Sequence, residues 1–249
     1  MRRTQGSSRT RPDAGWVAAL VGAALLVSTS RSGAETKLEI GVRAGYALPF
    51  GKVSRDGSRD LESRDFATGM VPLWFDFGMR AGPRVFLGTY LQYGVGVLSD
   101  EMISFCDAVD RSRVPEGGGA SCNVHDLRLG AQVHYHFGGL GASLDPWVGA
   151  GFGYEWASAG VFVHEPGTHA DIAATLQGFE FFNLQAGLDV SATDIMAVGP
   201  FVALTFGSYE RVSRSCYGEL CTDDDTSESL AEMALHYWLF FGLRAEFVP

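Results

Sequence analysis

The stretch DLRLGAQVHYHF (residues 126–137) alternates without a break. Leu127, Leu129, Ala131, Val133, Tyr135 and Phe137 fall on one side, Asp126, Arg128, Gly130, Gln132, His134 and His136 on the other. Successive side chains of a strand point to opposite faces, so this segment reads as a strand with one oily face and one ionic, glycine-bearing face. The pattern recurs at 37–48, 71–81, 85–97, 147–156, 181–190, 200–208 and 237–247, least cleanly at 200–208. The minority face of these copies carries Glu39 and Arg43, Asp76 and Arg80, Glu155, Asp189, and Arg244 and Glu246. Strands of about ten residues have the length of a tilted bilayer crossing.

The connections between the eight strands run about 22, 3, 28, 9, 24, 9 and 28 residues, so long and short alternate. An up-and-down meander with tight turns at one rim and long loops at the other is the habit of transmembrane barrels. The expected fold is therefore all-β, an eight-stranded antiparallel up-and-down transmembrane β-barrel with four long loops at one rim. A soluble barrel of lipocalin type would line its interior with the apolar face and wet the polar one. Here the ionic face suits a narrow lumen. Slipping the register by one residue would turn Arg43, Arg80, Arg128 and Arg244 toward lipid. Each arginine near the midplane costs roughly 2–4 kcal/mol, a total on the order of 10 kcal/mol. Aromatic residues gather toward the strand ends, Tyr93, Tyr154, Trp156, Phe182, Phe206, Tyr209 and Tyr237 at the long-loop rim and Tyr135, Phe137 and Phe247 at the other, as interfacial belts would place them.

Composition narrows the setting. The chain has 249 residues, 46% of them hydrophobic, with 32 glycines and a net charge of −10. No run of 18 or more apolar residues occurs, which excludes a membrane-spanning helix. Residues 1–34 read as a signal peptide: arginines 2, 3, 9 and 11, an apolar stretch at 16–27, then small residues at Ser32-Gly33-Ala34 before Glu35. The remaining barrel domain, 35–249, would carry 14 basic and 28 acidic residues. That balance argues against a nucleic-acid binder. In an oxidising compartment Cys106, Cys122, Cys216 and Cys221 are expected as disulfides; three connectivities are open, and local pairing of 106 with 122 and 216 with 221 is favoured over a zinc site.

With PWVGAGFGYEW (146–156), FNLQAGLDV (182–190) and FGLRAEF (241–247), the chain resembles the small outer-membrane barrels of the OmpA/OmpX type over about residues 37–247. The resemblance implies a Gram-negative outer membrane and long loops facing outward. It implies surroundings of outer-membrane lipid and lipopolysaccharide, and a barrel-assembly machinery during insertion. Gly242, Ala245 and Phe247 are similar to the terminal insertion signal of such barrels, from which this chain departs by adding Val248 and Pro249. The peptidoglycan-binding domain of full OmpA proteins is not expected from these residues. The fold fixes no activity.

The lumen charges Glu39, Arg43, Asp76, Arg80, Asp126, Arg128, Glu155, Asp189, Arg244 and Glu246 are expected to pair and plug the bore, which in an eight-stranded barrel is just wide enough for side chains. The alternative is a narrow, charge-lined channel. His134 and His136 are spaced to reach one metal, but a polar lumen accounts for them, and no metal or cofactor is expected. GAGFG (149–153) has no following helix to make it a nucleotide loop. A lipid A-modifying enzyme of the deacylase type would need a His-x-Ser pair on the lipid face; none occurs, and strand histidines are expected on the polar face, so no enzyme is expected. The long loops are the expected functional surface: net −3 over 98–124, net −5 over 209–232 including Asp223-Asp224-Asp225, and balanced over 51–69 with Ser-Arg-Asp three times. Solvated loops explain these charges; the sharper expectation is a surface that recruits divalent cations or a basic partner, with disulfides in two of the loops holding a shape for an extracellular ligand.

Overall fold

In the computed structural model, residues 36–249 are described apart from 57–58, 114–117, 166–167, 219–220 and 222–225. The leader, Asp223-Asp224-Asp225 and Ser58 of the second Ser-Arg-Asp lie outside the described residues.

The alternation produces β1 (Thr36–Asp56), β2 (Arg59–Glu62), β3 (Ala67–Ala81), β4 (Val85–Leu98), β5 (Gly119–His136), β6 (Leu144–Glu165), β7 (Thr168–Thr193), β8 (Met196–Gly218) and β9 (Thr226–Phe247). Two helices accompany them, α1 (Ser63–Phe66) and α2 (Asp100–Arg113). Every neighbour pair is antiparallel, in the order β1-β3-β4-β5-β6-β7-β8-β9, and β9 pairs back onto β1, closing a ring of eight. Strand β2 lies outside the ring, folded against the end of β1. Closure leaves the ring no unpaired edge.

The faces are inside out relative to a water-soluble protein. Along β3, Leu73, Phe75, Phe77 and Met79 are 41–58% exposed, whereas Trp74, Asp76 and Arg80 are at most 1% exposed. The same holds at the seam, where Phe241, Leu243 and Phe247 face out and Arg244 and Glu246 face in. An apolar surface continuous around the ring is far larger than a water-facing protein tolerates, and hydrocarbon is the solvent that fits it. Gly45 and Gly242 are direct partners across the seam, and a Cβ on Gly242 would press into the Ala44 carbonyl and the Gly45 backbone. Glycine there lets β1 and β9 close.

The short connections fall where expected, at residues 82–84, 137–143 and 194–195, all at one rim. At the other rim the structure corrects the expected long loops. The β6–β7 ladder continues from Leu144↔Val190 to Glu165↔Thr168, and β8 and β9 pair as far as Arg214↔Thr226. These connections are twisted β-ribbons standing beyond the apolar band. Both their faces leave the hydrocarbon, so the long alternation that lipid imposes lapses in them, yet the ladder still satisfies the backbone.

Candidate functional site

The lumen is filled in layers. At the short-turn rim, Arg80 donates from Nε to Glu39 and from Nη2 to Glu246, each at 2.5 Å. Arg244 donates to Asp189 at 2.6 Å and to Glu39 at 2.8 Å. His136 meets Asp145 through Nδ1 at 2.9 Å, and the other Asp145 oxygen accepts the backbone N–H of Gly138 and Gly139 in the turn below.

Above them Arg43 holds Asp76 with two nitrogens, at 2.6 and 2.9 Å, and donates to Gln185 at 2.6 Å. Gln132 bridges to Asp76 at 2.7 Å. The guanidinium is enclosed by Trp74, Trp147 and Phe201, 5.0–5.5 Å from their ring centres. Trp74, Tyr90, Phe201, Trp238 and Phe240 belong to one buried cluster, with Trp74 edge-on to Phe240 and stacked on Tyr90. The polar face of the alternation thus carries an aromatic plug across the bore, built from residues of β3, β4, β8 and β9. Such arginine–aromatic contacts replace water that a confined interior cannot hold.

Toward the long-ribbon rim, Arg128 gathers three carboxylates. It donates to Asp126 at 2.9 and 3.1 Å, to Glu155 at 3.0 Å and to Glu180 at 2.9 Å. Tyr90 donates to Glu180 at 2.5 Å and Tyr209 to Glu155 at 2.7 Å. His236 reaches Glu155 at 2.8 Å and stacks on Tyr209 with ring centres 3.9 Å apart.

All ten expected lumen charges lie inside and paired, at most 6% exposed. Asp145, Glu180, His236, Tyr90 and Tyr209 join the network unforeseen. Glu180 was hidden by a bulge between Glu180 and Phe182 that shifts the alternation. Tyr209, placed by the sequence reading in the aromatic belt, is 2% exposed and points inward; its parity with Phe201 and Thr205 was the available signal. The histidine expectation, which concerned the expected strands and so His134 and His136, holds, both being buried; His236, one residue before the expected last strand, is buried as well, and His125, one residue before the expected fourth, lies on the outward side against Tyr93. Among the described buried side chains, Arg43, Arg80, Arg128 and Arg244 face eight carboxylates: Glu39, Asp76, Asp126, Asp145, Glu155, Glu180, Asp189 and Glu246.

At the far rim the cysteines pair locally, Cys106 with Cys122 and Cys216 with Cys221. The first bond pins α2 to β5, and Ala120 donates its N–H to Asp110 at 2.8 Å across the same junction. Beneath, Val161, Val163 and Ala170 of the β6–β7 ribbon pack with Val109, Ala120, Cys122 and Cys221. Gly242, Ala245 and Phe247 sit on the seam strand, Ala245 and Phe247 facing out.

No family model matches the chain. No curated protein sequence matches it. Solved structures do. A major outer membrane protein from Thermus thermophilus aligns over 86% of this chain and 100% of its own, at 13% identity and a TM-score of 0.53. Neisserial surface protein A aligns over 86% and 98%, at 10% identity and a TM-score of 0.45. The Escherichia coli outer membrane protease OmpT aligns over 89% and 99%, at 8% identity and a TM-score of 0.28. Of these three the Thermus protein alone is alike enough to carry an argument, and at that identity the argument is one of fold: this chain has the architecture of an outer-membrane β-barrel.

Proposed function

We propose that the protein is a non-conducting barrel of the Gram-negative outer membrane, exported by its N-terminal leader, whose role is structural and whose working surface is the disulfide-braced rim. The observation that carries this reading is the filled bore. Two ionic layers and an aromatic one lie in series, with Arg43, Arg128 and Arg244 fully buried and Trp74 and Phe240 at 0% exposure. A channel needs a continuous wet path, and side chains of this volume occupy the one available. The lumen carboxylates are engaged by arginine, tyrosine, histidine and amide donors inside a closed bore, which supports a structural role over turnover.

The rim favours an extracellular contact. Two disulfides hold its shape, and Phe105 and Tyr217 stand 54% and 74% exposed there. Apolar side chains presented on a braced, acidic rim suit recognition of a partner better than passive cover. Gly242, Ala245 and Phe247 are read as the insertion signal offered to the assembly machinery, with lipopolysaccharide and phospholipid around the apolar band. The test is planar-bilayer recording on the purified full chain. A flat baseline is expected; stable, large conductance steps would favour the channel reading instead.

A further inference from the structure

The floor of the lumen holds a group of atoms that its hydrogen bonds leave unused. A ring nitrogen of His136 and one carboxylate oxygen each of Asp189 and Glu246 lie within 4.8 Å of one another. His136 and Asp189 are 0% and 2% exposed, and His136 Nε2 and Asp189 Oδ1 have no hydrogen-bond partner. Glu246 Oε2 lies 2.9 Å from Arg244 Nη1 but off the hydrogen-bonding direction, so it too accepts no hydrogen bond. Buried polar atoms are ordinarily satisfied, and three neighbouring residues that each keep one such atom without a hydrogen bond ask for an occupant.

The charges ask for the same one. In this layer Arg80 and Arg244 stand against Glu39, Asp145, Asp189 and Glu246, an excess of two negative charges. A water molecule would satisfy the orphaned atoms and leave that excess standing, and a proton shared by Asp189 and Glu246 would remove one of the two charges and leave His136 Nε2 unsatisfied, whereas a divalent cation satisfies both. His136 is already arranged for it. Its Nδ1 is 2.9 Å from Asp145, so a proton held there leaves the Nε2 lone pair free, the carboxylate–histidine arrangement that supports metal-ligating imidazoles. A cavity of about 480 Å³ opens at the short-turn rim with Asp189, Glu246 and Arg80 in its wall, giving an entry path.

We propose that His136, Asp189 and Glu246 form a site for a divalent transition-metal ion at the floor of the barrel, with a fourth position open to the cavity. One imidazole and two carboxylates suit zinc with a water as fourth ligand. Bonds of about 2.0–2.1 Å require ligand atoms roughly 3.3 Å apart. The contraction falls on the two carboxylates, whose terminal torsions are broad. The companion group Glu39, His134 and His136 is the weaker candidate, because both Glu39 oxygens accept hydrogen bonds, from Arg80 and Arg244, whereas Glu246 Oε2 is in an ion pair and accepts none. The site goes beyond the rim reading and does not depend on it.

The test is calorimetric titration of the untagged full chain, folded in detergent and stripped of metal by chelator and dialysis, with zinc chloride as probe. One equivalent of zinc per barrel is expected. H136Q and D189N each weaken it at least tenfold, and D145N weakens it about tenfold through the imidazole it orients. E228Q, on the exposed rim, leaves it unchanged. The SDS-gel shift between unheated and boiled samples reports folding of each variant, and if H136Q fails that check D189N carries the test. A wild type without stoichiometric zinc, or folded H136Q and D189N that bind as the wild type does, overturns the proposal.

Discussion

Arg43 and Arg244 are direct partners across the β1–β9 seam, and the ring of Trp147 lies within cation–π reach of both, at 5.5 and 4.7 Å. Like charges directly opposite on a sheet normally repel. Here each is drawn away by its own carboxylates, Asp76 for Arg43 and Asp189 and Glu39 for Arg244, while the indole fills the space between the layers. The seam that closes the barrel therefore depends on a third strand, β6, which supplies Trp147.

Trp147→Ala should lower stability by about 3–5 kcal/mol, since it opens a cavity and strips both guanidinium groups of their apolar cover. Trp147→Phe should recover most of the loss. Urea unfolding of the protein in lipid vesicles measures both; an alanine variant within about 0.5 kcal/mol of wild type would mean the indole is not coupled to the seam.

Removing Arg128 leaves Asp126, Glu155 and Glu180 facing one another without a cation. Arg128→Met should cost about 3–5 kcal/mol, the usual result of orphaning buried charge. Adding Glu155→Gln and Glu180→Gln should restore part of it, because the uncompensated charge is then gone. The same unfolding assay reads this, and a triple variant weaker than the single one would refute the assignment.

Three obstructions in series predict that opening one does not open the bore. Trp74→Ala with Phe240→Ala, which thins the aromatic layer, should leave planar bilayers silent. Steady conductance should need the two ionic layers opened as well, by the further changes Arg128→Ser and Arg244→Ser. Single-channel recording of the two variants checks the order.

Breaking Cys106–Cys122 with paired serines should loosen the rim and spare the barrel. The bond spans 16 residues, and closing a loop of that size is worth about 3 kcal/mol to the local structure. Protease cleavage within α2 should accelerate several-fold. The temperature at which the folded band is lost on SDS gels should not move, since no lumen layer contains either cysteine.

The ring and its ionic content were legible in the sequence because hydrocarbon imposes a strict period of two wherever it touches a strand. Leu73, Phe75 and Phe77 can be read as outward, and Asp76 and Arg80 as inward, from spacing alone. Where the chain leaves the hydrocarbon the constraint lapses. The ribbon that joins β6 to β7 leaves the band through Ala157, Ser158 and Ala159, and its oily patch, Val161, Val163 and Ala170, faces the rim helix and not lipid, so it reads as loop although it is strand. Glu180 escaped notice because a bulge resets the count just after it. The aromatic plug was present in the pattern as Trp74, Phe201, Trp238 and Phe240 on the minority face. Its meaning emerged only from the approach of those rings to Arg43 and Arg128 across the lumen, a relation between strands that no single strand discloses.

The central claim is the partition between lipid and lumen, and nitroxide labels on Leu91, Leu129 and Phe241 test it most directly. These positions are 41–46% exposed on the outer face of β4, β5 and β9. In reconstituted vesicles their spectra should be relaxed by oxygen, which concentrates in hydrocarbon, and scarcely by a water-soluble nickel chelate. Labels relaxed by the chelate and not by oxygen would place the oily face in water and contradict the account.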